Sequence, residues 1–339
     1  MTIIVLALMN GASGSAWNLS LSRSTGTMAL GALPSPTLSV QTPLAFDGKR
    51  AYQHVAALVA MGPRSAGSPG IEKAREYLLR ELRGYGLKPR VEPFTPLTPR
   101  GRVGMKNLVV DLPGRSPQII LITSHYDTKD FADFPFVGAN DGGSSTGVLL
   151  ELARVLAKEK GAHDLSYRLA FFDGEEAFCA GWSDCLNGQD NTYGSREMVA
   201  TLRRTGEISR IKAMVLLDMV GDRDLVIPRE ENSTGWLVDT IWETARDLGY
   251  QRHFPEESHW MSDDHLPFLE AGIPAVDLID FDYGDGETSY WHTREDTLDK
   301  IDARSLQIVG EVVLQSLPQI GTYLTHPRRP SRPHTPRKN

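Results

Sequence analysis

Histidine and carboxylate side chains follow three apolar runs of the sequence, at the point where each run ends. In chain order these side chains are His125, Glu175, Glu176 and Asp218. Short apolar runs of this kind are typical of buried strands, and the ligands of open α/β sheets bind just beyond the carboxyl ends of such strands. We therefore expect the four side chains to meet at one edge of a sheet. Two further candidates lie in loops, Asp141 before one helical pattern and His292 before the last.

These residue types predict a site for a divalent metal. Imidazole nitrogens and carboxylate oxygens are ligands of zinc above all, and a catalytic zinc site needs about three protein ligands and an open position. In the adjacent pair Glu175 and Glu176 the side chains point in different directions, so one can bind metal while the other transfers protons. Asp218 ends a run of apolar residues, where an unpaired carboxylate is costly. Each motif alone is typical of a turn or a cap, but their conjunction indicates a metal-dependent enzyme.

The rest of the sequence alternates between apolar runs and helical patterns, which predicts the elements that position these side chains. The predicted strands are 107–112, 118–124, 167–173, 213–219 and 275–279. The predicted helices are 70–83, 146–158, 195–205, 236–248, 264–271 and a last one that starts near Asp302 and is kinked at Pro318. This alternation indicates the α/β class: a single globular domain with a mixed, mostly parallel central β-sheet and helices on both faces.

Composition divides the chain into segments 1–45, 46–325 and 326–339, of which the middle one is the predicted catalytic domain. The first carries one charge, Arg23, and its apolar stretch Thr2–Met9 is typical either of a short export signal or of a disordered N-terminus. The last is rich in proline and arginine, which predicts a disordered basic tail. The net charge of the chain is −7. Residues 1–45 carry +1 and residues 326–339 carry +5, so the middle segment carries −13. Nucleic acid is therefore not expected as a partner, and no apolar run is long enough for a membrane span.

The motifs around the candidate residues resemble those of the zinc-aminopeptidase superfamily and, more narrowly, of the animal-type glutaminyl cyclases (glutaminyl-peptide cyclotransferases). The likeness extends from about Gly62 to Tyr323. Its markers are Gly62-Pro63-Arg64, Ser124-His125-Tyr126-Asp127, Asn140-Asp141, Asp173-Gly174-Glu175-Glu176, Leu217-Asp218, Asp263-Asp264-His265-Leu266-Pro267-Phe268 and Trp291-His292-Thr293. The segment 263–268, together with Trp182 and Trp291, points to the cyclase branch.

The resemblance implies a role for individual residues. The implied zinc ligands are Asp141, Glu176 and His292, and the implied general acid–base is Glu175. The carboxylate relay beside Glu175 would be Asp218 and Asp263. The walls of the substrate pocket would be Trp182 and Trp291. Lys129 also matches a cyclase motif, and contact with the substrate and a surface ion pair both remain open for it. The implied reaction converts the N-terminal glutamine of peptides and proteins to pyroglutamate with release of ammonia, with zinc as a Lewis acid.

A two-zinc aminopeptidase is the alternative that the same ligands allow. In that enzyme His125 and Asp218 would hold a second metal, and Asp141 would bridge the two ions. Two departures from the cyclase pattern leave part of the pocket undefined: Ser262 stands where animal cyclases typically carry Gln, and residues 281–290 do not match the corresponding cyclase loop. A metal-binding but inactive interaction module is a third hypothesis, which the intact pair of glutamates disfavours.

The remaining expectations concern the cysteines, the cofactor and the location. Cys179 and Cys185 flank Trp182 and form either a disulfide in an oxidising compartment or two reduced, packed cysteines. His265 is expected to cap or pack its helix rather than bind metal. We expect one zinc ion, or two in an aminopeptidase, and a monomer whose partners are peptides with N-terminal glutamine. An export signal would place the protein in the periplasm or outside the cell, and its absence in the cytoplasm.

Overall fold

The structure, a computed structural model, describes residues 45–159, 161, 163–284 and 289–326. The signal-like stretch Thr2–Met9 and the basic tail after residue 326 lie outside the described residues. The strands are β1 Arg90–Phe94, β2 Leu97–Thr98, β3 Gly101–Arg102, β4 Met105–Leu112, β5 Ile119–His125, β6 Ser166–Phe172, β7 Ile211–Asp218, β8 Arg229–Glu230, β9 Ser258–His259 and β10 Ala275–Ile279. The α-helices are α1 Gly48–Val59, α2 Pro69–Gly84, α3 Gly143–Lys158, α4 Tyr193–Thr205, α5 Gly235–Asp247, α6 Leu266–Glu270 and α7 Ala303–Thr325.

Six strands form a mixed central sheet in the order β1-β4-β6-β5-β7-β10. The pairs β6–β5, β5–β7 and β7–β10 are parallel, whereas β4 and β1 extend the sheet in antiparallel fashion. The predicted α/β fold with a mixed, mostly parallel sheet is confirmed. All five predicted strands are present, but the sequence pattern does not predict β1. That strand lies at the edge of the sheet, keeps its side chains exposed or half-buried, and contains Pro93, which is tolerated at an edge.

Alternate residues of the central strands pack into two cores on opposite faces of the sheet. In β5, Ile120 and Ile122 belong to the larger core, which also contains residues of α1, α2, α3, α5 and α7. Their neighbours Ile119 and Leu121 belong to the smaller core with residues of α4 and α6. Because successive side chains of a strand point to opposite faces, a strand covered on both faces is mostly apolar, and every residue of β5 and β6 is buried.

The parallel register delivers the candidate site residues to one edge of the sheet. His125, the last residue of β5, pairs with Phe172, the last residue of β6. Asp218 ends β7 and pairs with Ile279 at the end of β10. The turns that follow these strands therefore start level with one another. The candidate residue Asp141 lies two residues before α3, on the same edge.

The helices follow the predicted order with small shifts. The sequence pattern does not predict α1, which begins after Asp47, whose carboxylate accepts the backbone N–H of Lys49 at 3.0 Å and of Arg50 at 3.3 Å. The last helix, α7, is capped by Asp302 and continues on both sides of Pro318. Within the described ranges, none of the helices combines the length and the hydropathy that crossing a bilayer requires.

Candidate metal centre and active site

His125 lies among four carboxylates at the carboxyl edge of the sheet. Its Nε2 is 3.1 Å from Asp218 Oδ1 and 3.3 Å from Asp141 Oδ1. Its Nδ1 is 3.5 Å from Asp127 Oδ1 and 3.7 Å from Glu175 Oε2. Burial works against the protonated imidazole, but the neighbouring carboxylates, Glu175 and Asp218 first, raise the pKa of His125 well above its ordinary value. One imidazole is thus surrounded by four carboxyl groups.

A second cluster shares Asp141 with the first and adds Glu176 and His292. The Nε2 atom of His292 lies 3.2 Å from Glu176 Oε1 and 3.3 Å from Asp141 Oδ2. Ligand atoms of these three residues all lie within 4.8 Å of one another, and the same is true of His125, Asp141 and Asp218. The other carboxylate oxygen of Glu176 is buried without a hydrogen-bond partner, as expected of an oxygen that binds a cation. Both predicted ligand sets are therefore assembled.

The turn before α3 holds Asp141 in place. Gly142 has a φ of +71°, and a Cβ atom there would lie 2.8 Å from the ring of His125. Only glycine avoids both the left-handed strain and this contact. The buried carboxylate of Asp296 accepts the backbone N–H of Asn140 at 2.7 Å and of Asp141 at 3.1 Å. These two bonds fix the turn from the opposite side.

Aromatic rings surround His292 on several sides. Trp291 stacks on the imidazole with ring centroids 3.9 Å apart, and Phe131 and Phe136 meet it edge-on at 5.6 Å and 5.7 Å. The backbone of His292 has a φ of +57°, an unusual conformation for a residue with a side chain and one that is often found at functional sites. Burial opposes the protonated ring, but the carboxylates of the cluster, Glu176 first, raise the pKa of His292 to about 9.

Asp127 fixes the turn that carries the two glutamates. Its Oδ1 accepts the backbone N–H of Glu175 at 3.1 Å, and its Oδ2 accepts that of Glu176 at 3.3 Å. Glu176 turns towards Asp141 and His292, while Glu175 lines the cavity beside them. Burial raises the pKa of Glu175 well above its ordinary value, and the carboxyl group of Asp263 adds to the rise. A carboxyl group with a raised pKa holds a proton more tightly than an ordinary glutamate and is a candidate for proton transfer.

Asp263 and Asp264 are adjacent in sequence but have different surroundings. Asp263 lines the same cavity as Asp218, and its Oδ2 atom is buried without a hydrogen-bond partner. Burial raises the pKa of Asp263 well above its ordinary value, and Asp218 raises it further. Asp264 instead accepts a hydrogen bond from the hydroxyl group of Ser195 at 2.5 Å. Asp263 therefore faces the site, whereas Asp264 ties α6 to α4.

A cavity of about 260 Å³ opens onto these groups. Its acidic and imidazole lining consists of Asp141, Glu175, Glu176, Asp218, Asp263 and His292. Its other lining residues are Trp182, Met219, Trp260, Met261, Ser262, Ile279, Phe281 and Trp291. The two predicted tryptophans thus line the cavity, and the indole N–H of Trp182 donates to Ser262 Oγ at 3.2 Å. The floor of the cavity is charged and its walls are apolar.

Similarity to known proteins identifies the family of this chain. Residues 107–317 match the family model described as peptidase family M28. The chain belongs to peptidase family M28. A glutaminyl-peptide cyclotransferase from Boiga irregularis is 30% identical to this M28 protein over 286 residues, which cover 74% of the chain and 75% of the relative.

Solved structures of a glutaminyl cyclase and of a Zn-dependent exopeptidase are both similar to this M28 protein. A glutaminyl cyclase from an Acidobacteriales bacterium is 38% identical and superposes with a TM-score of 0.77, covering 85% of this chain and 99% of that one. A Zn-dependent exopeptidase from Parabacteroides distasonis is 26% identical with a TM-score of 0.73, covering 81% and 98%. The resemblance to glutaminyl cyclases within the zinc-aminopeptidase superfamily is confirmed, and an M28 fold implies zinc.

Lys129 of this M28 protein does not line the cavity. Its ammonium group donates to the backbone carbonyl oxygens of Ala177 at 2.9 Å and Cys179 at 3.1 Å. The side chain is buried, so it is not at the surface either. Its backbone N–H donates to Glu176 Oε1 at 3.1 Å. Lys129 therefore supports the segment after the glutamate pair and orients Glu176 from behind.

The loop between the glutamate pair and α4 is closed by a disulfide between Cys179 and Cys185. Of the two alternatives that the sequence left open, the structure has the disulfide. Both sulfur atoms are consumed in that bond, so neither is a thiolate ligand. Trp182 lies inside the small loop that the disulfide closes, and the side-chain amide of Asn191 donates to its carbonyl oxygen at 3.0 Å. The loop that carries this cavity wall is held at several points.

Sequence reasoning assigned no role to several residues that shape this M28 site. Asp127 is part of the His-Tyr-Asp motif, so the sequence marks its position. The sequence does not indicate its two hydrogen bonds to the backbone of Glu175 and Glu176. Asp296 follows His292 by four residues, but nothing in the local pattern indicates that it reaches Asp141. Trp260 and Phe281 line the cavity from segments without a recognisable motif. These contacts exist only once distant segments have come together.

Proposed function

We propose that this chain is a glutaminyl-peptide cyclotransferase, which forms pyroglutamate from an N-terminal glutamine and releases ammonia. The observation that carries the proposal is the position of Glu175. This buried carboxyl group adjoins the cluster of Asp141, Glu176 and His292 and opens onto a cavity with indole walls. A proton-transfer group beside a metal cluster is what the reaction needs. Two of the three named relatives are glutaminyl cyclases and one is a Zn-dependent exopeptidase, and the higher identity of the two cyclases supports glutaminyl cyclisation over peptide hydrolysis.

One zinc ion fits the cluster of Asp141, Glu176 and His292. One imidazole and two carboxylates match the ligands of catalytic zinc, which usually leave a position open for substrate. The unpartnered oxygen of Glu176 supports this fit, because a buried carboxylate oxygen without a donor is otherwise costly. Zinc bound there supplies a Lewis acid that polarises the side-chain amide carbonyl of the substrate.

Glu175 moves the proton in the proposed reaction. The α-amine nitrogen of the substrate attacks its own side-chain carbonyl carbon, and a new C–N bond forms as the amine loses a proton to Glu175. The same carboxyl group then returns the proton to the amide nitrogen, whose C–N bond breaks to release ammonia. A raised pKa suits this double duty, because the group must both accept and donate near neutral pH.

Asp218 and Asp263 are the proposed relay beside Glu175. Both carboxyl groups are buried and line the cavity, and burial raises the pKa of each. Carboxyl groups in such a cluster are not all ionised at once, so at least one can share a proton with its neighbour. In this role the pair would stabilise the protonated form of Glu175 during the reaction.

The size and walls of the cavity suit a single folded glutamine residue. A volume of about 260 Å³ is slightly below the range of typical small-molecule pockets. Trp182 and Trp291 would press the flexible side chain back towards the α-amine, which raises the fraction of substrate in the reactive geometry. The same walls would exclude water, and excluding water favours cyclisation over hydrolysis.

A two-zinc aminopeptidase is the second candidate, and one observation favours it. The atoms of His125, Asp141 and Asp218 form a further triad within 4.8 Å. In this structure, however, His125 also contacts Glu175 and Asp127, so its imidazole can equally serve as a counter-charge to the proton-transfer group. The named cyclases are 30% and 38% identical to this chain and the named exopeptidase is 26% identical, which favours the cyclase.

We also propose that the protein acts outside the cytoplasm, as a secreted or periplasmic monomer on peptides with N-terminal glutamine. The disulfide between Cys179 and Cys185 supports an oxidising compartment. The apolar stretch Thr2–Met9 would be the export signal. The test is to purify the protein from its native compartment and to treat it with a thiol reagent before and after reduction. If the disulfide is present, Cys179 and Cys185 react only after reduction.

The test of the proposed function is ammonia release from a dipeptide amide that begins with glutamine. Zinc-loaded protein should release ammonia, and Glu175→Gln should lower kcat by about 10²- to 10⁴-fold without loss of bound zinc. Glu243→Gln, the same change on the exposed face of α5, is the matched control and should match the parent protein. No ammonia from folded, zinc-bound protein, together with cleavage of an N-terminal leucine amide, would replace the cyclase by an aminopeptidase.

A further inference from the structure

Trp260 is a large aromatic side chain that the fold leaves uncovered. It is 59% exposed, and among the large hydrophobic residues that the described chain leaves exposed it is the only aromatic one. It lines the same cavity as Glu175 and Glu176. A lining residue with more than half of its surface in water must lie at the mouth of that cavity. Exposed apolar surface at the mouth of a site is typical of a surface that binds a ligand.

The backbone on both sides of Trp260 is tied to one neighbouring segment. Before it, His259 pairs with Glu230 in the two-stranded parallel sheet of β8 and β9, and its carbonyl oxygen accepts the N–H of Glu231 at 2.9 Å. After it, the N–H of Met261 donates to Glu230 Oε1 at 3.1 Å. The side-chain amide of Asn232 donates to the carbonyl oxygen of Met261 at 3.0 Å. The exposed indole is therefore carried on a backbone that is fixed at each end.

Glu230 anchors this arrangement from inside the protein. Its side chain is buried, and Oε2 lies 3.1 Å from Nε2 of the equally buried His265. The same oxygen accepts hydrogen bonds from the backbone N–H and the hydroxyl group of Ser233, both at 2.8 Å. His265, which the sequence predicts to cap or pack its helix, makes no side-chain cap at α6 and lies beside this carboxylate instead. An internal charged group that holds an exposed aromatic residue in position indicates preorganisation for binding.

The route of the substrate leads past this residue. In the proposed reaction, which this inference takes as its basis, the cavity holds the N-terminal glutamine beside Glu175. The rest of the peptide must leave through the mouth, and the first residue to do so is the second residue of the substrate. Apart from the carboxyl groups and His292, the cavity lining is largely apolar among the residues that the structure describes, and it includes Trp182, Trp260, Met261, Phe281 and Trp291. An aromatic or large aliphatic side chain would cover Trp260, whereas glycine would leave it in water.

We propose that Trp260 is the subsite for the second residue of the substrate and selects peptides with an aromatic or bulky apolar side chain at that position. Aromatic pairs are worth more than the surface they bury, because offset or edge-on ring contacts add to it. The preference arises in binding of the peptide and not in the proton transfer, so it is expressed in KM more than in kcat.

The test compares two substrates, Gln-Phe-amide and Gln-Gly-amide, on the full chain loaded with zinc. The parent protein should favour the Phe substrate in kcat/KM, and Trp260→Ala should reduce that preference about fivefold to tenfold, chiefly through KM. Trp260→Phe should restore part of the preference, because a smaller ring remains. Leu97→Ala is the control: Leu97 is similarly exposed, at 62%, lies outside the cavity, and should leave the preference unchanged.

Each other outcome separates this inference from the proposed function. If Trp260→Ala retains the full preference while both dipeptides still release ammonia, Trp260 is not the subsite and the cyclase stands. If the variant loses kcat equally on both substrates, the residue supports the structure of the site and the inference is wrong. If the parent protein releases no ammonia from either dipeptide, the proposed function fails first and this inference fails with it.

Discussion

Two buried histidines, His54 in the helical layer and His125 at the edge of the sheet, have opposite electrostatic environments. His54 lies on α1, with Nδ1 2.5 Å from the hydroxyl group of Tyr77 and Nε2 2.9 Å from that of Tyr85. Burial, and then the nearby arginines Arg50 and Arg154, lower the pKa of His54 to about 4. His125 is at least as deeply buried, yet its carboxylate neighbours raise its pKa well above the ordinary value.

The difference shows that burial alone does not decide the charge of a buried side chain in this protein: burial lowers the pKa of both imidazoles, and only at His125 do carboxylate neighbours reverse the direction. In the helical layer a neutral imidazole has both nitrogens satisfied by hydroxyl groups, which is the low-energy solution inside a protein. At the sheet edge the chain instead concentrates carboxylates beyond what its own cations neutralise. Such an arrangement is unfavourable for folding and is typical of a functional site. Three predictions test this contrast.

The largest expected effect follows from removing Asp127, which links His125 to the glutamate turn. In Asp127→Ala the backbone N–H groups of Glu175 and Glu176 lose their acceptor, and both side chains shift. Because a displacement of about 1 Å of one catalytic group can cost 10²-fold and here two groups move, we expect kcat to fall about 10³-fold. Asp130→Asn, three residues later and partly exposed in an ion pair with Arg100, is the control. If kcat falls less than tenfold in Asp127→Ala, the turn that carries Glu175 and Glu176 keeps its conformation without the Asp127 carboxylate.

A pH titration of stability tests the helical side of the contrast. Because the pKa of His54 is lowered from 6.5 to about 4, the unfolded chain takes up a proton below pH 6.5 that the folded chain refuses until about pH 4. Stability is therefore lost as pH falls across that interval, by about 3 kcal/mol from this residue. Urea unfolding at pH 7, 5.5 and 4 measures it, and His54→Gln should remove this part of the pH dependence. Parallel curves for the two proteins would show that His54 ionises normally in the fold.

The smallest expected effect distinguishes the two roles of His125. If it serves as a counter-charge in a one-zinc cyclase, His125→Gln keeps one zinc per chain and loses only about tenfold in kcat, since loss of the imidazolium charge raises the pKa of Glu175 further. Metal analysis of the purified variant and ammonia release measure both quantities. In a two-zinc enzyme the same change would instead lower the metal content from two ions to one and abolish turnover.

Much of the fold follows from local sequence patterns. The apolar runs at 118–124 and 167–173 correspond to β5 and β6 with shifts of one residue, because a strand covered on both faces is apolar along most of its length. β1 has no such pattern, since an edge strand faces water and its identity depends on pairing with β4. The helix α1 was missed although its capping residue Asp47 and its buried face follow ordinary rules.

The sequence by itself determined the composition of the site. It placed His125, Glu175 and Asp218 after strands, and the carboxyl ends of parallel strands necessarily share one edge of the sheet. The types of side chain then restricted the chemistry to metal binding and proton transfer. These conclusions need only local periodicity and the general geometry of α/β sheets.

Only the tertiary structure decided how those groups are shared and supported. The hydrogen bond from the backbone N–H of Asp141 to Asp296 joins residues 155 positions apart. The ammonium group of Lys129 points to backbone carbonyl oxygens instead of the cavity. The backbone beside Trp260 is held at the mouth of the cavity by a hydrogen bond to the buried Glu230. The physical reason is that a local pattern encodes periodicity and burial, whereas contacts between distant segments depend on how loops close and which buried polar atoms find partners. The residue types determine the chemistry of the site, and the packing of distant segments around them determines its geometry.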